Sequence, residues 1–273
     1  MTMETAVHAE HLWCAHHAKS VLRDLNFTIH RGEIAVIVGV NGVGKSTLLA
    51  TIAGAISAVR GNVSIFGHVR RAAPESERSA RRMAVYLPDE AWLPGFMQVR
   101  EYLGAAAALF EVPPADAIDQ IDALLDVFAL TTVESQSLGS LSAGQKKKVG
   151  LCAGLLANRP LLLLDEPFSG GLDPAGIAAL RRVLIDRART HHQTIVLTTP
   201  VAEVICELAD RLLILRDGEL VHNLNRTELQ HHLAIGPSSA DALNSLIFPD
   251  AELRIQRYLD NPASRSVASQ GEN

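Results

Sequence analysis

The sequence predicts an α/β fold built on a mainly parallel sheet, and three observations carry that prediction. Short continuous apolar runs recur at IAVIV (34–38), LLLL (161–164) and TIVLTT (194–199), as expected of strands buried on both faces. Amphipathic helical patterns separate them, such as GIAALRRVLIDRART (176–190). At Lys45 the periodicity switches from strand to helix across a glycine-rich stretch. Strands alternating with helices pack as a parallel sheet covered on both sides.

Taken in order, LRDLNFTIH (22–30) alternates as a half-buried strand, Arg31-Gly32-Glu33 turns the chain, and IAVIV runs up to Gly39. KSTLLATIAG follows as a helix, with Leu48, Leu49 and Ile52 on one face and Gly54 placed to end it. NVSIFGHV (62–69) reads as a short strand with a glycine turn, part of a peripheral antiparallel β subdomain. Residues 70–82, rich in arginine and serine, read as a polar connection whose basic cluster (Arg70, Arg71, Arg78, Arg81, Arg82) forms a solvated face. A helical subdomain spans about 90–158, with Pro113-Pro114 separating two of its helices. After LLLLDEP, the 176–190 helix and TIVLTT, the stretch DRLLILRDGELV supplies a terminal strand pair. One domain over residues 1–225 is therefore expected. Residues 226–273 follow as an extension of two weak helices and a tail, PASRSVASQGEN, of disorder-like composition.

No apolar run approaches the roughly 18 residues of a membrane-spanning helix, and the N-terminus lacks a secretory pattern, which favours the cytoplasm. Cys14, Cys152 and Cys206 are too scattered for zinc or a disulfide framework and read as reduced. The net charge of −5 offers little general attraction for nucleic acid, so none is expected as partner.

Gly39-Val40-Asn41-Gly42-Val43-Gly44-Lys45-Ser46 matches the G-x-x-x-x-G-K-[ST] phosphate-binding pattern, with Thr47 next and with a strand before and a helix after it. Glycines let backbone N–H groups converge on phosphate oxygens and the helix N-terminus adds partial positive charge. Lys45 neutralises the β and γ phosphates, and Ser46 can ligate Mg²⁺. Asp165 and Glu166 follow four leucines and so emerge at the carboxyl edge of a buried strand, where such sheets bind ligands. An acidic turn there is ordinary by itself, but a phosphate loop needs an acidic metal partner. Asp165 can hold Mg²⁺ and Glu166 can orient or deprotonate the attacking water.

Leu141-Ser142-Ala143-Gly144-Gln145, followed by KKKVGLCAGLL and then the acidic strand, resembles the LSGGQ signature of the ABC-type ATPases. From the residues alone, Ser142 can cap a helix with Gln145 at the capping-box position. The resemblance, which covers about 12–221, implies a P-loop nucleotide-binding domain acting as the ATP-binding and ATP-hydrolysing subunit of a transporter, with ATP and Mg²⁺ as cofactors. It implies that Ser142, Gly144 and Gln145 face the ATP of an opposite subunit, so that a second ABC ATPase subunit, the same or different, is a partner. It implies transmembrane permease subunits contacting residues near 88–103, and a cytoplasmic location on the inner face of the cell membrane.

Four positions depart from the family pattern. Asp89 stands where the family has a glutamine that contacts Mg²⁺ and water, and aspartate can still meet a cation. Pro200 takes the place of the switch histidine and has no donor for the γ phosphate. FSGGLDP places Asp173 seven residues beyond Glu166 rather than six, a one-residue insertion in the dimer-contacting D-loop. The adenine-stacking aromatic aligns with His16, with Trp13 and His17 as neighbouring alternatives. Asp89 and Pro200 keep open an alternative reading, an ATP-binding switch or a catalytically weak half of a heterodimeric transporter.

Overall fold

The computed structural model describes residues 4–16, 19–235 and 237–260. Strands β1 (Thr5–His16) and β2 (Lys19–His30) open the chain, followed by β3 (Ile34–Val38) and helix α1 (Lys45–Ala53). Next come β4 (Arg60–Ile65), β5 (His68–Val69), α2 (Pro74–Met83) and β6 (Ala84–Leu87). Helices α3 (Val99–Leu109), α4 (Pro114–Val127) and α5 (Ala143–Leu156) form the middle section. Then β7 (Leu161–Leu164), α6 (Pro174–Arg189), β8 (Thr194–Thr198), α7 (Ala202–Leu208), β9 (Arg211–Arg216) and β10 (Glu219–Asn225) complete the sheets. The chain continues through α8 (Arg226–Leu233), α9 (Ser239–Ile247) and α10 (Ala251–Leu259).

The strands form two sheets, an antiparallel one of order β2-β1-β4-β5 and a larger one of order β10-β9-β3-β8-β7-β6. In the larger sheet every pairing is parallel except β9 with β10. Its strands send alternate side chains into two separate cores. Ile34, Val36, Leu162, Leu164, Ile195, Leu197, Leu212 and Ile214 join the core of α3–α7. Ala35, Ile37, Leu161, Leu163, Val196 and Leu213 face the other way, with Leu48, Leu49 and Ile52 of α1 and the antiparallel sheet. Sheet on both sides of α1 explains why its three large apolar residues are fully buried. The two sheets also meet directly, where the Arg23 N–H donates to the Gly218 carbonyl at 2.8 Å.

Residues 70–82 differ from the expected polar connection, since most of them lie in α2. Pro74 begins this helix, Glu75 and Glu77 occupy its first turn, and Arg81 and Arg82 its last, a charge order that suits the helix dipole. Only Ala80 is buried, so no apolar stripe announces the helix in sequence. Nor is the whole basic cluster solvated. Arg70 is buried, its Nε donates to the Ile52 carbonyl at 3.0 Å, and its Nη1 pairs with Glu77 Oε1 at 3.2 Å. Arg71 Nη2 donates to the Gly54 carbonyl at 3.2 Å. Two arginines thus cap the carboxyl end of α1, the helix whose amino end follows the glycine-rich loop.

Among the described residues beyond 225 there are three helices rather than two. An Asn225–Glu228 capping box starts α8, and Leu243 and Ile247 bury α9 in the core shared with α7. The tail expectation over 261–273 lies outside the described residues.

Replacing Arg70 with Met removes a C-cap and leaves the Glu77 carboxylate short of a partner in a half-buried setting. We expect a stability loss of about 2–3 kcal/mol. Arg82→Met, at an exposed position, should cost at most about 0.5 kcal/mol. Urea unfolding of the two variants makes the comparison, and equal losses would remove the capping role assigned to Arg70.

Candidate functional site

The glycine-rich loop joins β3 to α1, and its backbone shows why glycine is required. Gly39 and Gly44 take φ values of 152° and 112°, and Gly42 takes 82°. A Cβ on Gly39 would strike the Leu215 carbonyl, and one on Gly44 would stand 2.7 Å from Val21 Cγ1. Gly44 offers no side-chain cap to α1, and the first turn of α1 holds no acidic residue. The first N–H groups of the helix are therefore directed into the loop, as anion binding needs. Lys45 is buried beneath the loop, with Nζ donating to the Gly39 carbonyl at 3.0 Å and standing 4.0 Å from Glu166 Oε1. Asn41, Gly42, Gly44, Ser46 and Thr47 line a cleft of about 680 Å³. Val43 instead turns its side chain into the core, and its N–H donates to the Val40 carbonyl at 3.2 Å.

Asp165 and Glu166 leave the carboxyl end of β7, two strands away from β3 with β8 between them. Thr198, the last residue of β8, holds the acidic pair from that side. Its Oγ1 donates to Asp165 Oδ1 at 2.7 Å and accepts from the Glu166 N–H at 2.8 Å. Asp165 is buried, while Glu166 reaches the cleft from a left-handed backbone, φ 48°. For a non-glycine residue that conformation costs on the order of 1–2 kcal/mol. The Ser169 hydroxyl, donating to the Glu166 carbonyl at 2.8 Å, helps hold it. Burial is the largest influence on the Glu166 carboxyl and pushes its pKa up; Lys45 pulls it down, and Asp165 and Asp89 push it up further.

Asp89, just past β6, also lines the cleft. Its Oδ1 accepts from Lys147 Nζ at 2.8 Å and lies 3.2 Å from Ser169 Oγ, whose one proton it shares with the nearer Glu166 carbonyl. Pro200 is exposed on the same cleft, so the position expected to carry a histidine brings no donor there. Val21 and Ser169 line the cleft too, and sequence reasoning had not singled them out. Trp13 lies in β1, with the Arg60 guanidinium 5.7 Å from its ring centre. His16 ends β1; its side chain, like all of His17, lies outside the described residues.

The Ser142 helix start adopts the capping box, with Gln145 N–H donating to Ser142 Oγ at 3.2 Å and Ser142 N–H to Gln145 Oε1 at 2.9 Å. Ser142, Gly144 and Gln145 do not line the phosphate-loop cleft of their own chain. The loop before α6 rests against Gly144, where a Cβ would strike the Gly171 carbonyl. Asp173 caps α6 by accepting from the Gly176 N–H at 2.7 Å and pairs with Lys148 Nζ at 3.0 Å.

With that geometry in place, comparison with known proteins identifies the family. The model of the family described as ABC transporter matches residues 22–169, a span that takes in the phosphate loop, the Ser142 helix start and Glu166. The chain belongs to the ABC transporter family. Within that family it is similar to the ATP-binding subunits. An uncharacterized ABC transporter ATP-binding protein of Nostoc sp. is 30% identical over 76% of this chain, which spans 61% of that relative's length. A putative ABC transporter ATP-binding protein of Pyrococcus furiosus is 33% identical over 78% of this chain and 77% of its own. A solved ATP-binding subunit of an ABC transporter superposes with a TM-score of 0.78 at 28% identity, over 88% of this chain and 99% of that one.

Two predictions follow from the acidic strand of this ABC subunit. Thr198→Val removes the hydroxyl that fixes Asp165 and the Glu166 backbone, and kcat for ATP hydrolysis should fall about tenfold or more while the fold persists. An unchanged kcat would show that the bridge is dispensable. A base with a raised pKa stays protonated over a wider acid range, so kcat/KM should fall with decreasing pH at a point above the ordinary glutamate value. Asp89→Asn, which removes one raising charge, should move that acid limb to lower pH. A pH profile of kcat/KM that ignores the substitution would detach the limb from Glu166.

Proposed function

We propose that this chain binds Mg²⁺-ATP on its phosphate loop, pairs with a second ATPase subunit across two nucleotides, and uses hydrolysis to drive separate transmembrane subunits. The observation that carries this reading is the placement of Lys45 and Ser46 after β3 and of Asp165 and Glu166 after β7, with β8 between, so that Lys45, Ser46 and Glu166 line one cleft and Asp165 is buried beside Glu166. Backbone N–H groups of Gly42, Gly44, Lys45 and Ser46 would receive the phosphates, and Lys45 would offset their charge. Ser46 and Asp165 offer a hydroxyl and a carboxylate, the oxygen donors that suit a hard divalent cation, whereas the Asp89 carboxylate, which lines the cleft with Ser46, is already paired with Lys147. When bound, that ion would neutralise phosphate charge. Glu166 is placed to orient and deprotonate the attacking water.

Ser142, Gly144 and Gln145 stand apart from their own cleft, which supports a role toward the nucleotide of an opposite subunit. Among the described residues no helix is long and apolar enough to cross a membrane. Transport would need membrane-spanning segments beyond the described residues, which this reading assigns to partner chains, with this subunit on the inner face of the membrane. Trp92 (82% exposed) and Phe96 (85%) lie within the 88–103 stretch and supply an apolar face for such a partner.

Pro200 favours a second reading, an ATP-binding switch or weak half of a heterodimer, because the cleft lacks the donor expected at that position. Removing one transition-state donor lowers turnover by about a hundredfold or more. ATP turnover of the full chain with its membrane partner separates the two. The leading reading expects measurable turnover, lost by a factor of about 100 or more in Glu166→Gln, while that variant still dimerises with ATP. ATP-driven dimerisation with negligible turnover in both proteins supports the second reading. No nucleotide binding in either overturns both.

A further inference from the structure

We propose that Lys147 is a positioning residue for ATP binding and hydrolysis: it holds Asp89 in place and cancels its charge, so that the triphosphate can occupy a cleft that would otherwise repel it. The inference rests on the reading of the cleft as an ATP site. An anionic side chain lining a phosphate site is unfavourable unless something neutralises it, and Asp89 lines the same cleft as Lys45, Glu166 and Ser169.

Lys147 answers that requirement in a specific geometry. It belongs to α5, whose first turn carries Ser142 and Gln145, and its side chain is only 8% exposed. A lysine buried to that degree needs acceptors. Its Nζ finds two on one residue, the Asp89 carboxylate at 2.8 Å and the Asp89 backbone carbonyl at 3.0 Å. Holding both main chain and side chain fixes the loop as well as the charge. From Asp89 the contacts continue to Ser169 Oγ at 3.2 Å, and that hydroxyl also reaches the Glu166 carbonyl at 2.8 Å. One lysine of the signature helix is thereby connected through two side chains to the residue that prepares water.

The test is equilibrium titration of the full-length chain with ATP and with ADP at fixed Mg²⁺ and low ionic strength, for Lys147→Met, Lys147→Arg, Asp89→Asn and the Asp89→Asn/Lys147→Met pair. Lys147→Met should weaken ATP binding about tenfold and ADP binding less, because the repulsion grows with phosphate charge. Lys147→Arg should stay within about threefold of the native protein, as guanidinium keeps the charge. The pair should bind ATP far better than Lys147→Met alone, because no uncompensated carboxylate remains. Asp89→Asn alone should bind ATP more tightly than the native protein, which keeps the proposal testable even if Lys147→Met does not fold. Equal losses for ATP and ADP, a pair no better than Lys147→Met, or Asp89→Asn binding ATP no more tightly than the native chain would each overturn it. Absence of ATP binding by the native chain would instead overturn the reading of the cleft.

Discussion

The arrangement of this subunit depends on one constraint, the burial of its central sheet on both faces. Because β3, β7, β8 and β9 each divide their side chains between two cores, none can slip by one residue without exchanging every side chain between those cores. Register is thereby fixed, and with it the row of chain ends at the carboxyl edge. The glycine loop leaves β3, the acidic pair leaves β7, and Thr198 at the end of β8 lies between them. The left-handed backbone of Glu166 is tolerated there because Thr198 and Ser169 hold its N–H and carbonyl from two sides.

What could be read from the sequence follows the same division. The phosphate loop and the acidic strand were legible because their chemistry is local: residues that act together stand next to one another. Thr198 was not, since its role arises from parallel register with β7, where Leu164 pairs with Leu197 and the next residues are Asp165 and Thr198. Lys147 was hidden for a similar reason, lying 58 positions from Asp89. Helix α2 escaped because charge order and a proline, rather than an apolar stripe, specify it. Arg70 looked like part of a solvated cluster until Ile52 and Glu77 closed around it.

The departures from the family pattern are not independent of one another. Asp89 and the lengthened loop ending at Asp173 are both fastened to α5, the first by Lys147 and the second by the adjacent Lys148. The extra glycine lets Gly170 and Gly171 take φ values of 74° and 90°, and Gly171 comes to rest on Gly144 at the start of the same helix. Both positions are thus tied within the subunit to the helix that carries Ser142 and Gln145.

Pro200 belongs to a different class. A proline brings neither a side-chain donor nor an N–H, so no rearrangement of its neighbours can restore what a histidine would supply at that position. On the proposed reading its effect falls on the transition state, where a donor to the γ phosphate matters, more than on the ground state, where Lys45 and the glycine loop would hold the phosphates. Binding and hydrolysis come apart on this argument. The cleft keeps the groups proposed to recognise a nucleoside triphosphate, while its rate would rest on Lys45 and on a Glu166 carboxyl whose pKa burial pushes up.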